Sequence, residues 1–147
     1  MKKIIICTDG GSRGNPGQAA VGIIFCNEKG QEIKNHAQYL GDGLTNNEAE
    51  YQAVVIALQK FKALFGKKLA ESTEIEIRSD SELLVKQMKG EYKIMEPKIQ
   101  ELFLKVWNLK IDFKKVSFVL IPREKNKEAD YLVNECLDNQ GKAQTLI

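Results

Sequence analysis

Residues 3–8, Lys-Ile-Ile-Ile-Cys-Thr, form an almost unbroken apolar run of strand-forming residues, and an acid, Asp9, follows it. A strand with one wet face alternates apolar and polar residues. A run without alternation predicts a strand covered on both faces. Such a strand suits a sheet with helices on its faces, and the strands that alternate with helices in the second half of the chain point to the α/β class. The 147 residues suffice for one domain. A domain of that size buries about 68–70% of its unfolded surface and needs no metal or disulfide to fold.

The rest of the chain supplies partners for that strand. Residues 18–27 predict a second strand and 31–40 a third, separated by a turn at Glu28-Lys29-Gly30; the three read as an antiparallel meander. Residues 46–65 carry the pattern of a long amphipathic helix ended by Gly66. Residues 73–78 alternate as a strand, and Ser79-x-x-Glu82 is a candidate capping box for a helix ending near Gly90. A helix follows Pro97 to about Leu109, a last strand spans 115–121, and a helix from about Glu124 to Asp138 closes the fold. Residues 139–147 show no clear pattern, which leaves a single domain over 1–138 and a tail. The order βββαβααβα predicts a five-stranded mixed sheet, three antiparallel strands then two parallel, with helices on both faces. In open α/β sheets, sites form at the carboxyl ends of parallel strands.

Composition narrows the function classes only by exclusion. The formal net charge is +2, and the three arginines are Arg13, Arg78 and Arg123. Cys7, Cys26 and Cys136 lie far apart with no C-x-x-C pair, which argues against a zinc ribbon or a thioredoxin-like site. An odd cysteine count without a signal peptide predicts a reducing, cytoplasmic setting. No apolar stretch approaches the ~20 residues that cross a bilayer. Nothing in the sequence indicates an oligomer, so a monomer is the default expectation.

The glycine-rich stretch after the first strand, Thr8 to Gly17, invites comparison with phosphate-binding loops, and it fails their spacings. No glycine there is followed at the required distance by Gly-Lys-Ser/Thr. The nearest match to a dinucleotide fingerprint, Gly41-Asp42-Gly43, has Asn46 where a third glycine belongs. Asn15-Pro16-Gly17 reads as a turn between strands.

The acids are more informative. Asp9 and Asp80 stand at the predicted carboxyl ends of two strands. On a helical wheel Glu50 shares the stripe of Val54, Ala57, Phe61 and Leu64, which packs on the sheet. A carboxylate there is costly unless paired or bound to a cation. Glu48 points about the opposite way and reads as a solvated acid favoured by the helix dipole. Asp130 borders the apolar stripe Ala129, Leu132, Val133, Cys136 and Leu137. Each acid alone has an ordinary explanation as a turn starter, helix cap or helix flank. Together, four carboxylates from neighbouring ends repel one another unless a cation joins them. Mg²⁺ takes oxygen ligands, and two such ions ~3.5–4 Å apart clamp the attacking and leaving oxygens of a phosphodiester.

At this point the sequence resembles a family, type 1 ribonuclease H. The matching stretches are Thr8-Asp9-Gly10-Gly11 with Gly14-Asn15-Pro16-Gly17, then Thr45-Asn46-Asn47-Glu48-Ala49-Glu50, then Ser79-Asp80-Ser81, then Asn126-Lys127-Glu128-Ala129-Asp130. They occur in the family's order and cover all but the tail from about residue 139. The resemblance implies a ribonuclease H-like fold, hydrolysis of the RNA strand of RNA/DNA hybrids to 3′-hydroxyl and 5′-phosphate ends, and two Mg²⁺ ions, with Mn²⁺ as a substitute. It implies that Asp9 bridges both ions, that Glu50 and Asp80 complete one site and that Asp130 completes the other. It also implies that Gly10, Gly11, Ser12, Asn15 and Asn46 line the RNA strand, and that Thr45 and Asn47 help form a phosphate pocket for the DNA strand. Several features depart from the family. Glu82 stands where many relatives carry a substrate-contacting Gln. The loop before the last acid reads Leu120-Ile121-Pro122-Arg123-Glu124, without the His of better-known members. Arg123 is either a phosphate contact there or a surface charge. His36, the sole histidine, falls in the predicted third strand as a structural or exposed residue. The span between Asp80 and Asp130 is too short for an extra basic helix. Lys86, Lys89, Lys93 and Lys98, with Tyr92, offer either a weaker basic surface or a solvated helix face. The first strand begins at residue 3, so no N-terminal hybrid-binding module is expected.

Overall fold

The first apolar run becomes the middle strand of the sheet. In the computed structural model, which describes residues 2–145 and the side chains of residues 2–140, β1 spans Lys3–Arg13. It is followed by β2 (Gly17–Cys26), β3 (Glu32–Leu44), α1 (Asn46–Phe65), a short α2 (Lys67–Glu71) and β4 (Glu74–Ser79). Then come α3 (Glu82–Met88), α4 (Pro97–Lys110), β5 (Lys115–Leu120), a 3₁₀ turn at Arg123–Lys125 and α5 (Lys127–Thr145). The sheet order is β3-β2-β1-β4-β5. β2 is antiparallel to β1 and β3, whereas β4 is parallel to β1 and β5.

Both faces of β1 are buried, as its lack of alternation requires. Ile4 and Ile6 join Ile75, Ile77 and Phe118 beneath Val54, Ala57 and Phe61 of α1 and Ile99, Leu102 and Val106 of α4. On the other face Ile5 joins Ile24, Cys26 and Ala129, and Ala20 meets Val133 and Leu137 of α5. Burying a Leu, Ile, Val or Phe side chain is worth roughly 1.5–3 kcal/mol, so both helix layers hold the sheet. Burial pushes the Cys7 thiol up to about 11, which leaves it a protonated apolar filler.

β1 runs well past the residue 8 expected for its end. Its parallel pairing with β4 stops at Cys7↔Arg78, but its antiparallel pairing with β2 continues to Arg13↔Gln18. The sheet therefore parts beyond Cys7. Asp9 lies in that parting, inside an antiparallel ladder rather than at a strand end. Only residues 14–16 form the turn. Helix α3 is capped by Ser81, whose hydroxyl accepts from the Leu84 N–H at 3.2 Å, rather than by Ser79. The Ser79 hydroxyl instead accepts from the Ser81 N–H at 3.0 Å. The last helix begins at Lys127, after the 3₁₀ turn, and continues through most of the expected tail to Thr145; residues 146–147 lie outside the described residues. Those tail residues lack an apolar stripe, but Gln, Lys and Ala propagate a helix without one.

Candidate active site

Asp9, Glu50 and Asp80 offer carboxylate oxygens that all lie within 4.8 Å of one another, a group of possible metal ligands among the described residues. Asp130 lines the same cavity of about 310 Å³. Four segments meet there: the middle of β1, the first turns of α1, the end of β4 and the start of α5. The sheet parts at this point because β4 ends while β1 continues.

Two glycines allow the helices to come this close. A Cβ on Gly10 would lie 2.2 Å from the Ala49 carbonyl carbon and oxygen, so only glycine lets α1 press its first turns onto β1. The Gly10 N–H then donates to Glu50 Oε1 at 2.6 Å. Gly22 stands opposite Asp9 in the β1–β2 register. A Cβ there would lie 2.2 Å from the Ala129 carbonyl oxygen. The two glycines thus bring in the residues adjoining Glu50 and Asp130 respectively. Their role is close approach of backbone, not a turn.

The electrostatics suit the binding of a cation. Asp9 is 8% exposed. Burial, and then the charges of Asp80 and Asp130, push its carboxyl up to about 7. Glu50 is raised well above the ordinary carboxylate range by burial and by Asp9, with the Gly10 N–H opposing. Burial also raises Asp80, opposed by the Arg123 guanidinium. Without a counter-ion the cluster holds protons that ordinary acids release. Its donors are oxygens alone, with no His or Cys among them, which suits a hard divalent cation.

Val54, Ala57 and Phe61 of the stripe that Glu50 shares are buried, whereas Leu64, at the far end of α1 beyond the edge of the core, is 37% exposed. Glu48 differs from expectation. Its side chain is 14% exposed, not solvated. Thr45 caps α1 by accepting from the Glu48 N–H at 3.1 Å, while the Thr45 N–H donates to Glu48 Oε1 at 3.3 Å. The pair is a capping box, which draws Glu48 back over the helix end.

Gly10, Gly11, Ser12 and Asn46 line the cavity with the acids, whereas Asn15, Thr45 and Asn47 do not. Asn15 is tied to the wall nevertheless. Its Oδ1 accepts from the Asn46 N–H at 2.9 Å, and Asn46 Oδ1 accepts from the Ser12 N–H at 2.8 Å. Ser12 Oγ donates to the Leu44 carbonyl at 2.7 Å. This chain of bonds clips the β1 extension to the start of α1. Glu82 has a local role: it pairs with Lys86 at 3.0 Å and accepts from the Tyr92 hydroxyl at 3.3 Å. The Lys86 ammonium lies 5.1 Å from the centroid of the Tyr92 ring. Lys98 reaches Glu48 at 3.9 Å. His36 sits on β3 bonded to Gln38. Arg123 lines the cavity and faces Asp80 electrostatically. Sequence reasoning missed Arg13 and Asn134 in the cavity wall. They lie 121 positions apart, and only the folded β1–α5 contact joins them.

Sheet order, crossing helices and gathered carboxylates together define a ribonuclease H-like domain. The family model described as reverse transcriptase-like matches residues 7–136. The chain belongs to the type 1 ribonuclease H family. It is 47% identical to LC11-RNase H1, solved in complex with an RNA/DNA hybrid, with a TM-score of 0.88 and coverage of 93% of this chain and 98% of that one. It is 37% identical over 131 residues to the ribonuclease HI of Halobacterium salinarum, covering 89% of this chain and 62% of that protein. It is 33% identical over 137 residues to the bifunctional protein Rv2228c of Mycobacterium tuberculosis, covering 92% of this chain. The chain spans about a third (36%) of that mycobacterial protein's length.

Proposed function

We propose that this chain is an endoribonuclease that cleaves the RNA strand of RNA/DNA hybrids, leaving 3′-hydroxyl and 5′-phosphate ends. The carrying observation is the carboxylate cluster of Asp9, Glu50 and Asp80, set in a cavity that Asp130 shares and that an amide-bearing wall flanks. The family membership and the hybrid-bound relative support the same substrate. Asp9, Glu50, Asp80 and Asp130 would hold two divalent ions, Mg²⁺ or Mn²⁺, with Asp9 shared between them. Such ions, when bound, acidify water and stabilise charge on the leaving oxygen.

The chain's own groups account for substrate reading. A ribose 2′-hydroxyl both donates and accepts, and it separates RNA from DNA. Asn15 and Asn46 use their carbonyl oxygens inside the protein, so their NH₂ groups are left to donate to the substrate. Ser12 spends its proton on Leu44, so its oxygen is left to accept. The wall therefore presents donors and an acceptor side by side. Gly10 and Gly11 border the RNA strand with backbone alone, their Cβ positions being turned to Ala49 and Val133. Thr45 and Asn47, at the α1 N-terminus, suit a DNA-strand phosphate. Arg123 offers a guanidinium to a phosphate beside Asp80. A gel assay on labelled hybrid, RNA duplex and DNA duplex, with Mg²⁺ or Mn²⁺, tests the reading. Selective cleavage of hybrid RNA supports it, and binding without cleavage favours a silent nucleic-acid binder with this fold.

A further inference from the structure

Asn126 is 2% exposed and stands at the N-cap of α5, where its carbonyl accepts from the Asp130 N–H at 3.1 Å. An Asn at this position ordinarily caps the helix by turning its side-chain oxygen to the first free N–H groups. Asn126 does not. Its Nδ2 donates to the Thr8 carbonyl at 2.9 Å, across 118 positions of sequence. The same carboxamide also favours the charged form of Asp80. Its Oδ1 is left as the buried side-chain atom without a partner among the described residues. A buried acceptor left unpaired is costly. Rotating the amide offers no relief, because its oxygen would then face the Thr8 carbonyl oxygen.

The donor side of this amide therefore dictates its orientation, at the expense of the cap. Its contacts fall on two segments that carry acids: Thr8, whose carbonyl it holds, precedes Asp9, and Asp130, whose N–H donates to the Asn126 carbonyl, lies in the helix that Asn126 starts. We infer that Asn126 is a positioning residue of the carboxylate cluster, fixing the start of α5 against β1 so that the acids present one cation-binding geometry. This deepens the hybrid-nuclease reading and rests on it for the assignment of the acids as cation ligands. Partners that orient metal-binding side chains typically control affinity or activity by 10–100-fold.

Asn126→Ser separates positioning from capping. Serine is a good N-cap, so the helix keeps its start, but its short hydroxyl does not span to Thr8 as the carboxamide does. The test measures Mn²⁺ binding by titration calorimetry and hybrid cleavage across Mg²⁺ concentrations for wild type, Asn126→Ser and Asn126→Ala. Each protein is kept at a temperature where circular dichroism shows it folded. The expected result for Asn126→Ser is Mn²⁺ binding weakened at least tenfold, a matching rise in the Mg²⁺ needed for half-maximal cleavage, and a KM for hybrid within threefold of wild type. Asn126→Ala is expected to show the same loss plus a lower melting temperature. Mn²⁺ affinity within twofold of wild type in folded Asn126→Ser would overturn the inference, even if that variant melts earlier. Failure of the wild type to cleave hybrid would count against the nuclease reading instead, while the Mn²⁺ measurement would still decide the role of Asn126.

Discussion

Glu50 and Glu48 lie two residues apart on one helix and do different work. Glu50 takes the Gly10 N–H and joins the cluster, whereas Glu48 closes the capping box with Thr45. Glu50→Gln removes a cation ligand from a site of few ligands, and we expect it to lower kcat by at least 10²-fold. Glu48→Gln keeps the box, because Gln closes it as Glu does. Its expected cost is below about 0.5 kcal/mol in stability, with kcat within twofold of wild type. Steady-state cleavage and thermal melting of both variants check the pair, and equal losses of activity would refute the assignment. The separation of Glu50 from Glu48 was legible in the sequence because a helix has one buried stripe. The capping role of Glu48 was legible in principle from Thr45-x-x-Glu48, a spacing the reading of Glu48 as solvated passed over. Asn126 carried no such signal: an Asn before a helix reads as a cap, and only folding shows that its amide faces the sheet.

At the scale of elements, the site depends on how closely two helices approach the sheet. Gly22→Ala places a methyl 2.2 Å from the Ala129 carbonyl oxygen and 2.9 Å from Leu132 Cβ. Backbone cannot step aside as a flexible side chain would, so the start of α5 must shift. Overpacking of this kind costs about 1–3 kcal/mol. Gly22→Ala is expected to lower both the denaturation midpoint and the cleavage rate, since Asp130 moves with α5. A wild-type rate at full stability would contradict this account of the glycine. The same close approach explains which boundaries the sequence conceals. α1 matches its predicted span because Thr45 and Gly66 mark both ends. β1 is longer than predicted because Gly10 and Gly11 look like turn residues, while Gly10 exists for contact with α1. α5 outlasts its apolar stripe because periodicity reports packing, and a helix can extend beyond its packed face.

For the whole molecule, the buried carboxylates oppose stability at neutral pH, and the proposed cation would relieve them. Asp9 has a pKa of about 7 in the fold against an ordinary 3.8. Between those values the folded protein holds a proton that the unfolded chain has lost, so this group's contribution to stability falls as pH rises through the window. In EDTA, the melting temperature is expected to drop between pH 5 and pH 8 through this contribution. The proposed Mg²⁺ site belongs to the folded state, so added Mg²⁺ is expected to restore a few °C at pH 8, with a smaller increment at pH 5. Calorimetric scans with and without Mg²⁺ test it, and equal increments at both pH values would contradict the coupling of cluster charge to cation binding.

On the proposed function, Asp9 and its partners cut RNA paired with DNA. A hybrid labelled on its RNA strand, incubated in Mg²⁺ with wild type and with Asp9→Asn beside labelled RNA and DNA duplexes, tests this. The expected products are internal RNA fragments with 5′-phosphate and 3′-hydroxyl ends from the hybrid alone, and none with Asp9→Asn, whose circular dichroism is expected to match wild type. Cleavage by Asp9→Asn at the wild-type rate, or a hybrid that is bound by wild type and left intact, would contradict it.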